Sequence, residues 1–174
     1  MEYFLTSPRL GFRCWKDDDL PLAMELWSDP EVTVFTGGPF TAEMVKARLH
    51  REIAHMQAHG FQYWPIFLLD GDRHAGCAGL RIYNKEDRVY ELGYHLRRAF
   101  WGRGLAKEAA RAIIDYGFET LDAECLFAGH HPLNDVSRKV LLSVGFTYFG
   151  EEIYPPTGII EPTYRLRKRQ NHAT

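Results

Sequence analysis

The residues best placed to hold an anion are Trp101-Gly102-Arg103-Gly104. Before them, residues 89–96 are rich in β-branched, aromatic and aliphatic side chains, which predicts a strand; after them Leu105, Ala106, Ala109, Ala112, Ile113 and Tyr116 recur at helical spacing. Two glycines at such a junction let the backbone approach a ligand and take up dihedrals that a side chain forbids. The first amides of the helix have no partner within it and carry the positive end of its dipole, so the backbone of Gly102, Arg103, Gly104, Leu105 and Ala106 forms a seat for a phosphate. Arg97, Arg98 and Arg103 either add charge-assisted contacts or stand as solvated charges at a strand end. Lys107 occupies the position where a dinucleotide-binding turn needs its third glycine, and no Gly-Lys-Ser/Thr follows, so neither that fold nor a P-loop is expected. On this stretch alone, a glycine-rich connection with no ligand is an equal alternative.

Length and composition narrow the classes. A chain of 174 residues suits one domain with a full core, read here as residues 1–174. Hydrophobic residues at 45% and charged residues at 25% are ordinary for a soluble protein, and a net charge of −2 argues against general nucleic-acid binding. The basic run at 165–169 reads as the end of a last strand. Cys14, Cys77 and Cys125 are too far apart for a disulfide framework or a zinc knuckle, which fits a reducing cytoplasm. The sequence opens without a secretory pattern, and no apolar run reaches membrane length.

The elements that must position the turn follow in order. Residues 9–15 alternate as a first strand. Asp17, Asp18 and Asp19 place negative charge at the start of a helix carrying Leu22, Ala23, Leu26 and Trp27. Residues 28–40, with two prolines and the adjacent Gly37 and Gly38, read as a loop. Thr41 caps a second helix running to His59, with Met44, Val45, Leu49 and Ile53 at core spacing and Gly60 as its stop. Strands at 61–69 and 74–83 flank the turn Asp70-Gly71-Asp72-Arg73. After the central strand and helix come a strand at 125–129, a helix at 134–144, and strands at 146–153 and 159–167. This order is α/β with a mixed sheet of about seven strands and about four helices.

Several short motifs together resemble the GNAT N-acetyltransferases. Gly104 and Ala106 fill the last two defined positions of that family's Gln/Arg-x-x-Gly-x-Gly/Ala signature, and Trp101 stands where Gln or Arg is usual. Asn134-x-x-Ser137, followed by Leu141-Leu142-Ser143-Val144-Gly145-Phe146, is similar to the second signature. Leu10-x-Phe-Arg-x-Trp, the acidic triplet and residues 26–32 resemble the branch of the Rim-type ribosomal-protein N-terminal acetyltransferases. The likeness covers nearly the whole chain and implies a sheet splayed between its fourth and fifth strands, with the pantetheine arm of acetyl-CoA in the opening.

From this resemblance the roles follow. Tyr94, His95 and Leu96 would pair with the pantetheine through their backbone, and one of their amides would face the thioester carbonyl. Asn134, a good helix cap in its own right, would also contact pantetheine. Many members protonate the leaving thiolate with a tyrosine four residues before the Gly-Phe pair; here that residue is Leu141, and Ser137 is the branch's substitute. Glu91 is the base candidate for the amine, or else the ion-pair partner of Arg81. Phe35, Tyr83 and Tyr154 are expected walls of the acceptor site, with Asp29, Glu31, Glu151 and Glu152 as acidic residues near a cationic acceptor. His130 and His131 lie close to the opening. His55 and His59, one turn apart beside His50, lack the glutamate of a zinc pattern, so no metal is expected. The expected activity is acetyl transfer to a primary amine, first a protein or peptide N-terminus and next a small amine, amino acid or antibiotic, with a silent acyl-CoA sensor as the rival. No nucleic-acid or membrane partner is expected, and either a monomer or a homodimer fits.

Overall fold

The computed structural model describes residues 2–168, and Arg169 of the basic run lies outside them. The eight strands are β1 (Leu5–Thr6), β2 (Leu10–Phe12), β3 (Tyr63–Leu68), β4 (Arg73–Asn84), β5 (Val89–Leu96), β6 (Cys125–Gly129), β7 (Thr147–Tyr154) and β8 (Ile159–Arg167). They form one mixed sheet in the order β1-β2-β3-β4-β5-β6-β8-β7. The helices are α1 (Leu20–Trp27), α2 (Pro30–Thr33), α3 (Ala42–His59), α4 (Leu105–Glu119) and α5 (Asp135–Ser143). The expected α/β class stands. Two elements exceed the expected count because each is too short to show a period: β1, and α2 inside the segment read as a loop. In α2, Pro30 occupies the first turn and the Asp29 side chain accepts from the Glu31 amide at 2.9 Å.

The two faces of the sheet are covered by different helices. Along β3 and β4 the side chains alternate: Tyr63 and Cys77 join Trp27, Leu26, Val45 and Leu49 of α1 and α3, while Trp64 and Ala78 join Ala109, Ile113 and other residues of α4. Helix α3 begins and ends as its sequence dictates, with the Thr41 hydroxyl accepting from the Met44 amide at 3.3 Å and Gly60 left-handed at φ 81°. Met44 itself is 47% exposed, so the buried face starts at Val45.

What positions the site is the β5–β6 junction. These strands run parallel and pair at Val89, Tyr90 and Glu91 against Cys125, Leu126 and Phe127. Beyond Glu91 they part. Strand β6 continues against β8 alone, through Ala128 and Gly129, while β5 continues against β4 as far as Leu96. One edge of Leu92–Leu96 is therefore left without a strand neighbour inside the sheet, in the place where the splay was expected.

Candidate active site

Gly102 and Gly104 take left-handed dihedrals, φ 72° and 73°, and Gly104 is the residue from which α4 starts. No atom lies within 4 Å of a Cβ built on Gly102, so glycine is needed there for its dihedral and not for lack of space. The Glu108 amide donates to the Gly104 carbonyl at 3.1 Å, which leaves the amides of Leu105, Ala106 and Lys107 at the open end of the helix. The turn is braced from beneath. The Arg9 guanidinium donates to the Arg103 carbonyl at 3.0 Å and to Glu108 at 2.6 Å, and the Ser7 hydroxyl donates to the same carboxylate at 2.7 Å. Burial works against the Glu108 charge, but these hydrogen bonds hold its carboxyl below the ordinary carboxylate range.

A groove of about 420 Å³ leads from this turn along the end of β5 to the start of α5. It collects Tyr94, His95, Leu96, Gly102, Arg103, Gly104, Leu105, Ala106, Asn134 and Ser137, which sequence reasoning had singled out. Arg97 and Arg98 are placed elsewhere: Arg97 donates to the His74 carbonyl at 3.0 Å and pairs with Glu25 at 2.9 Å, and Arg98 pairs with Glu31. Trp101, at the position that departs from the signature, donates its indole N–H to the Leu96 carbonyl at 2.8 Å and so ties the strand end to the turn. Asn134 caps α5, its Oδ1 accepting from the Ser137 amide at 3.1 Å. The Tyr94 hydroxyl reaches the Ser137 carbonyl at 3.4 Å and also interacts with the Ser137 side chain.

A second cavity, about 190 Å³, adjoins the groove; Phe35, Thr36, Tyr94, His95, Asn134 and Ser137 line both. Its charged residues are Arg48, Arg81, Glu91 and Glu161. Glu91 faces Arg81 in the β4–β5 register, yet the Arg81 guanidinium pairs with Glu52 of α3 instead. Burial raises the Glu91 carboxyl above its ordinary value, opposed by the positive charges of Arg81 and Arg48. Glu161 is 7% exposed, and burial followed by the neighbouring Glu91 charge pushes it up to about 7. Gly93 lies between Glu91 and His95 because the Tyr63 ring fills the space of any side chain; its hydroxyl is 2.2 Å from where a Cβ would stand. His95 accepts from the Trp27 indole at 3.1 Å through Nδ1, so its Nε2 carries the proton, and burial keeps the ring well below its ordinary pKa.

Of the expected walls, Phe35 stacks on His131 at 4.8 Å and Tyr154 lines the second cavity. Tyr83 does not line it: beyond Arg81, where the β4–β5 register shifts, it stacks on Phe127 at 4.1 Å and donates to Glu152 at 2.7 Å. Asp29 is spent on capping α2. His130 and His131 both line the cavity, and His130 contacts the Tyr164 hydroxyl at 3.2 Å. His55 lies outside it, with Nδ1 2.7 Å from the Phe61 carbonyl, and no group of three metal-ligating side chains occurs among the described residues. Arg48, Tyr63 and Glu161 were not expected. The readable signal for Arg48 was its spacing, since Val45, Arg48, Leu49 and Glu52 share the buried face of α3 and two of the four are charged.

A splayed mixed sheet with an anion seat at the mouth of the opening defines an acyltransferase of a known type. The Acetyltransferase (GNAT) domain profile matches residues 9–147, and the chain belongs to that family. It is an acetyl-CoA-dependent acetyltransferase. Among its relatives, the uncharacterised N-acetyltransferase p20 of Bacillus licheniformis is 33% identical over 144 residues, covering 82% of this chain and 81% of that one. The FsC-acetyl coenzyme A-N(2)-transacetylase of Aspergillus fumigatus is 35% identical over 156 residues, covering 82% and 66%. The fold is similar to that of RimL, a ribosomal L7/L12 α-N-protein acetyltransferase solved with coenzyme A, at a TM-score of 0.81 and 18% identity over 95% and 98% of the two chains. Among the described residues no helix is long and apolar enough to cross a membrane.

Proposed function

We propose that the chain, as one domain over residues 1–174, moves the acetyl group of acetyl-CoA directly onto an α-amine, with a protein or peptide N-terminus as the acceptor, and that it works in the cytoplasm. The observation that carries this reading is the shared wall: Tyr94, His95, Asn134 and Ser137 line both the groove and the charged cavity, so a thioester in one lies beside an amine in the other. The amides of residues 105–107 and the free edge of β5 bind the two ends of the cosubstrate. The amine nitrogen attacks the thioester carbon while a backbone amide within residues 94–96 stabilises the oxyanion. Glu91 accepts the amine proton, directly or through water, with Glu161, whose carboxyl is pushed up by burial and by the Glu91 charge, as the second carboxylate of the cavity. As the C–S bond breaks, the Ser137 hydroxyl passes its proton to the thiolate while it takes one from water, so that CoA leaves as the thiol and the serine is restored.

An acyl-cysteine route has no support from the chain. No cysteine lines either cavity, and burial pushes the Cys77 thiol up to about 12. An α-amine near pKa ~8 suits carboxylate bases of this kind better than a lysine near ~10.4. The Rim-type N-terminal motifs favour the protein acceptor. A second reading, a small-molecule acceptor, is favoured by the modest volume of the cavity and by the N(2)-transacetylase relative.

Mass spectrometry of peptide N-termini, lysine-only peptides, amino acids and small amines incubated with isotopically labelled acetyl-CoA tests the proposal. Label on α-amines supports it. Label confined to lysine side chains, or none on any acceptor while CoA still binds, rules it out.

A further inference from the structure

Arg48 is left over from the arrangement of charges around the second cavity. Its side chain is 8% exposed and its guanidinium carbon sits 4.6 Å from the centre of the Trp27 ring. Helix α3 offers it Glu52, but that carboxylate is already committed: Oε1 to the Arg81 guanidinium, and Oε2 to the Tyr63 amide at 3.0 Å. The distance from Arg48 Nε to Glu52 Oε1 is 3.8 Å, too long for a hydrogen bond, and Nε is buried without a partner. Among the described residues no hydrogen bond reaches any part of this guanidinium, and no ion pair joins Glu91 to either arginine. Arg48, Arg81 and Glu52 together carry a net charge of +1 (two cations, one anion) on the α3 and β4 side of the cavity. Glu91 and Glu161 lie further along the sheet, on β5 and β8.

A buried Nε with no acceptor is costly, and a carboxylate placed against this guanidinium gains two parallel charge-assisted hydrogen bonds that Glu52, at 3.8 Å, does not supply. The cavity thus has a cationic pole with unused donors and an anionic pole suited to an amine. We infer that Arg48 is a specificity-determining residue that binds a carboxylate carried by the acceptor itself, so that the preferred acceptors bear an acid group close to the α-amine. That carboxylate is either the α-carboxylate of a free amino acid or an acidic side chain at the start of a peptide. The inference rests on the transfer reading above and goes further in naming the acceptor's second group.

The test uses the full-length protein, acetyl-CoA and matched acceptor pairs: leucine with leucinamide, and C-terminally amidated peptides beginning Glu-Ala with those beginning Gln-Ala. Release of CoA gives kcat/KM for each. Wild type is expected to favour the acid member of at least one pair by about tenfold or more, and the pair that shows it identifies the source of the carboxylate. In Arg48→Gln the acid-to-amide ratio of kcat/KM falls to about one, mainly through a raised KM for the acid member. Arg48→Lys keeps part of the preference. Equal rates for acid and amide members in wild type overturn the inference and leave the transfer reading intact. Absence of turnover with every acceptor defeats the transfer reading; calorimetric titration of the same pairs then decides Arg48 alone, with tighter binding of the acid to wild type but not to Arg48→Gln in its favour and equal binding against it.

Discussion

The groove at the start of α4 takes most of its wall from one stretch of chain, residues 94–96 and 100–107, and from the first turn of α5, whereas the adjoining cavity takes its charges from α3, β4, β5 and β8. The groove offers mainly backbone: left-handed glycines, helix-end amides and an unpaired strand edge. The cavity offers buried side chains whose charges perturb one another. A ligand common to a whole family can be held by backbone geometry that tolerates substitution, while the variable partner is selected by side chains from distant parts of the chain. Substitutions in the two regions should therefore fail differently.

The largest separation is expected from the carboxylates. Glu91→Gln and Glu161→Gln should each lower kcat/KM for the amine by about 10²-fold, the usual scale of a lost general base, with the affinity for CoA unchanged by calorimetry. Next comes Gly104→Val. A β-branched residue at φ 73° is strained by roughly 1–2 kcal/mol, and relieving that strain displaces the helix-end amides, so CoA affinity should fall about tenfold while the acceptor KM holds. Ser137→Ala should reduce kcat by a similar or smaller factor and leave both binding steps alone.

The pH dependence sharpens the same contrast at smaller amplitude. Because Glu161 must be ionised to share in proton removal, kcat/KM should rise with pH through about 7. Stability should run the other way. The folded carboxyl holds its proton up to about 7 where the ordinary value is 4.5, so folded wild type binds more protons in that window and loses stability as pH rises through it. Glu161→Gln should melt a few degrees above wild type at pH 8 and level with it at pH 4. Equal differences at both pH values would mean that Glu161 is not the perturbed acid.

The same division explains what could be read in advance. The strand at 89–96, the two glycines, the α4 stripe and the Thr41 and Gly60 ends of α3 are local signals, each written in a few adjacent residues, and the structure has them where they were expected. Helix α2 and strand β1 are too short to show a period. Glu161 and Arg48 were missed because their meaning comes from partners on other elements: β8 joins the sheet beyond β6, and Glu52 is engaged by Arg81, 29 residues on. Tyr83 was misplaced for the complementary reason, since the register shift between Ile82 and Asn84, which sets where its ring packs, depends on the pairing of β4 with β5.

The most direct test of the account is a crystal structure of the chain with bound CoA. The pyrophosphate is expected on the amides of residues 105–107, the pantetheine along the open edge of Leu92–Leu96 and the sulfur beside Ser137. A pyrophosphate bound away from that turn, or a β5–β6 pairing closed as far as Leu96 with the pantetheine outside the sheet, would contradict it.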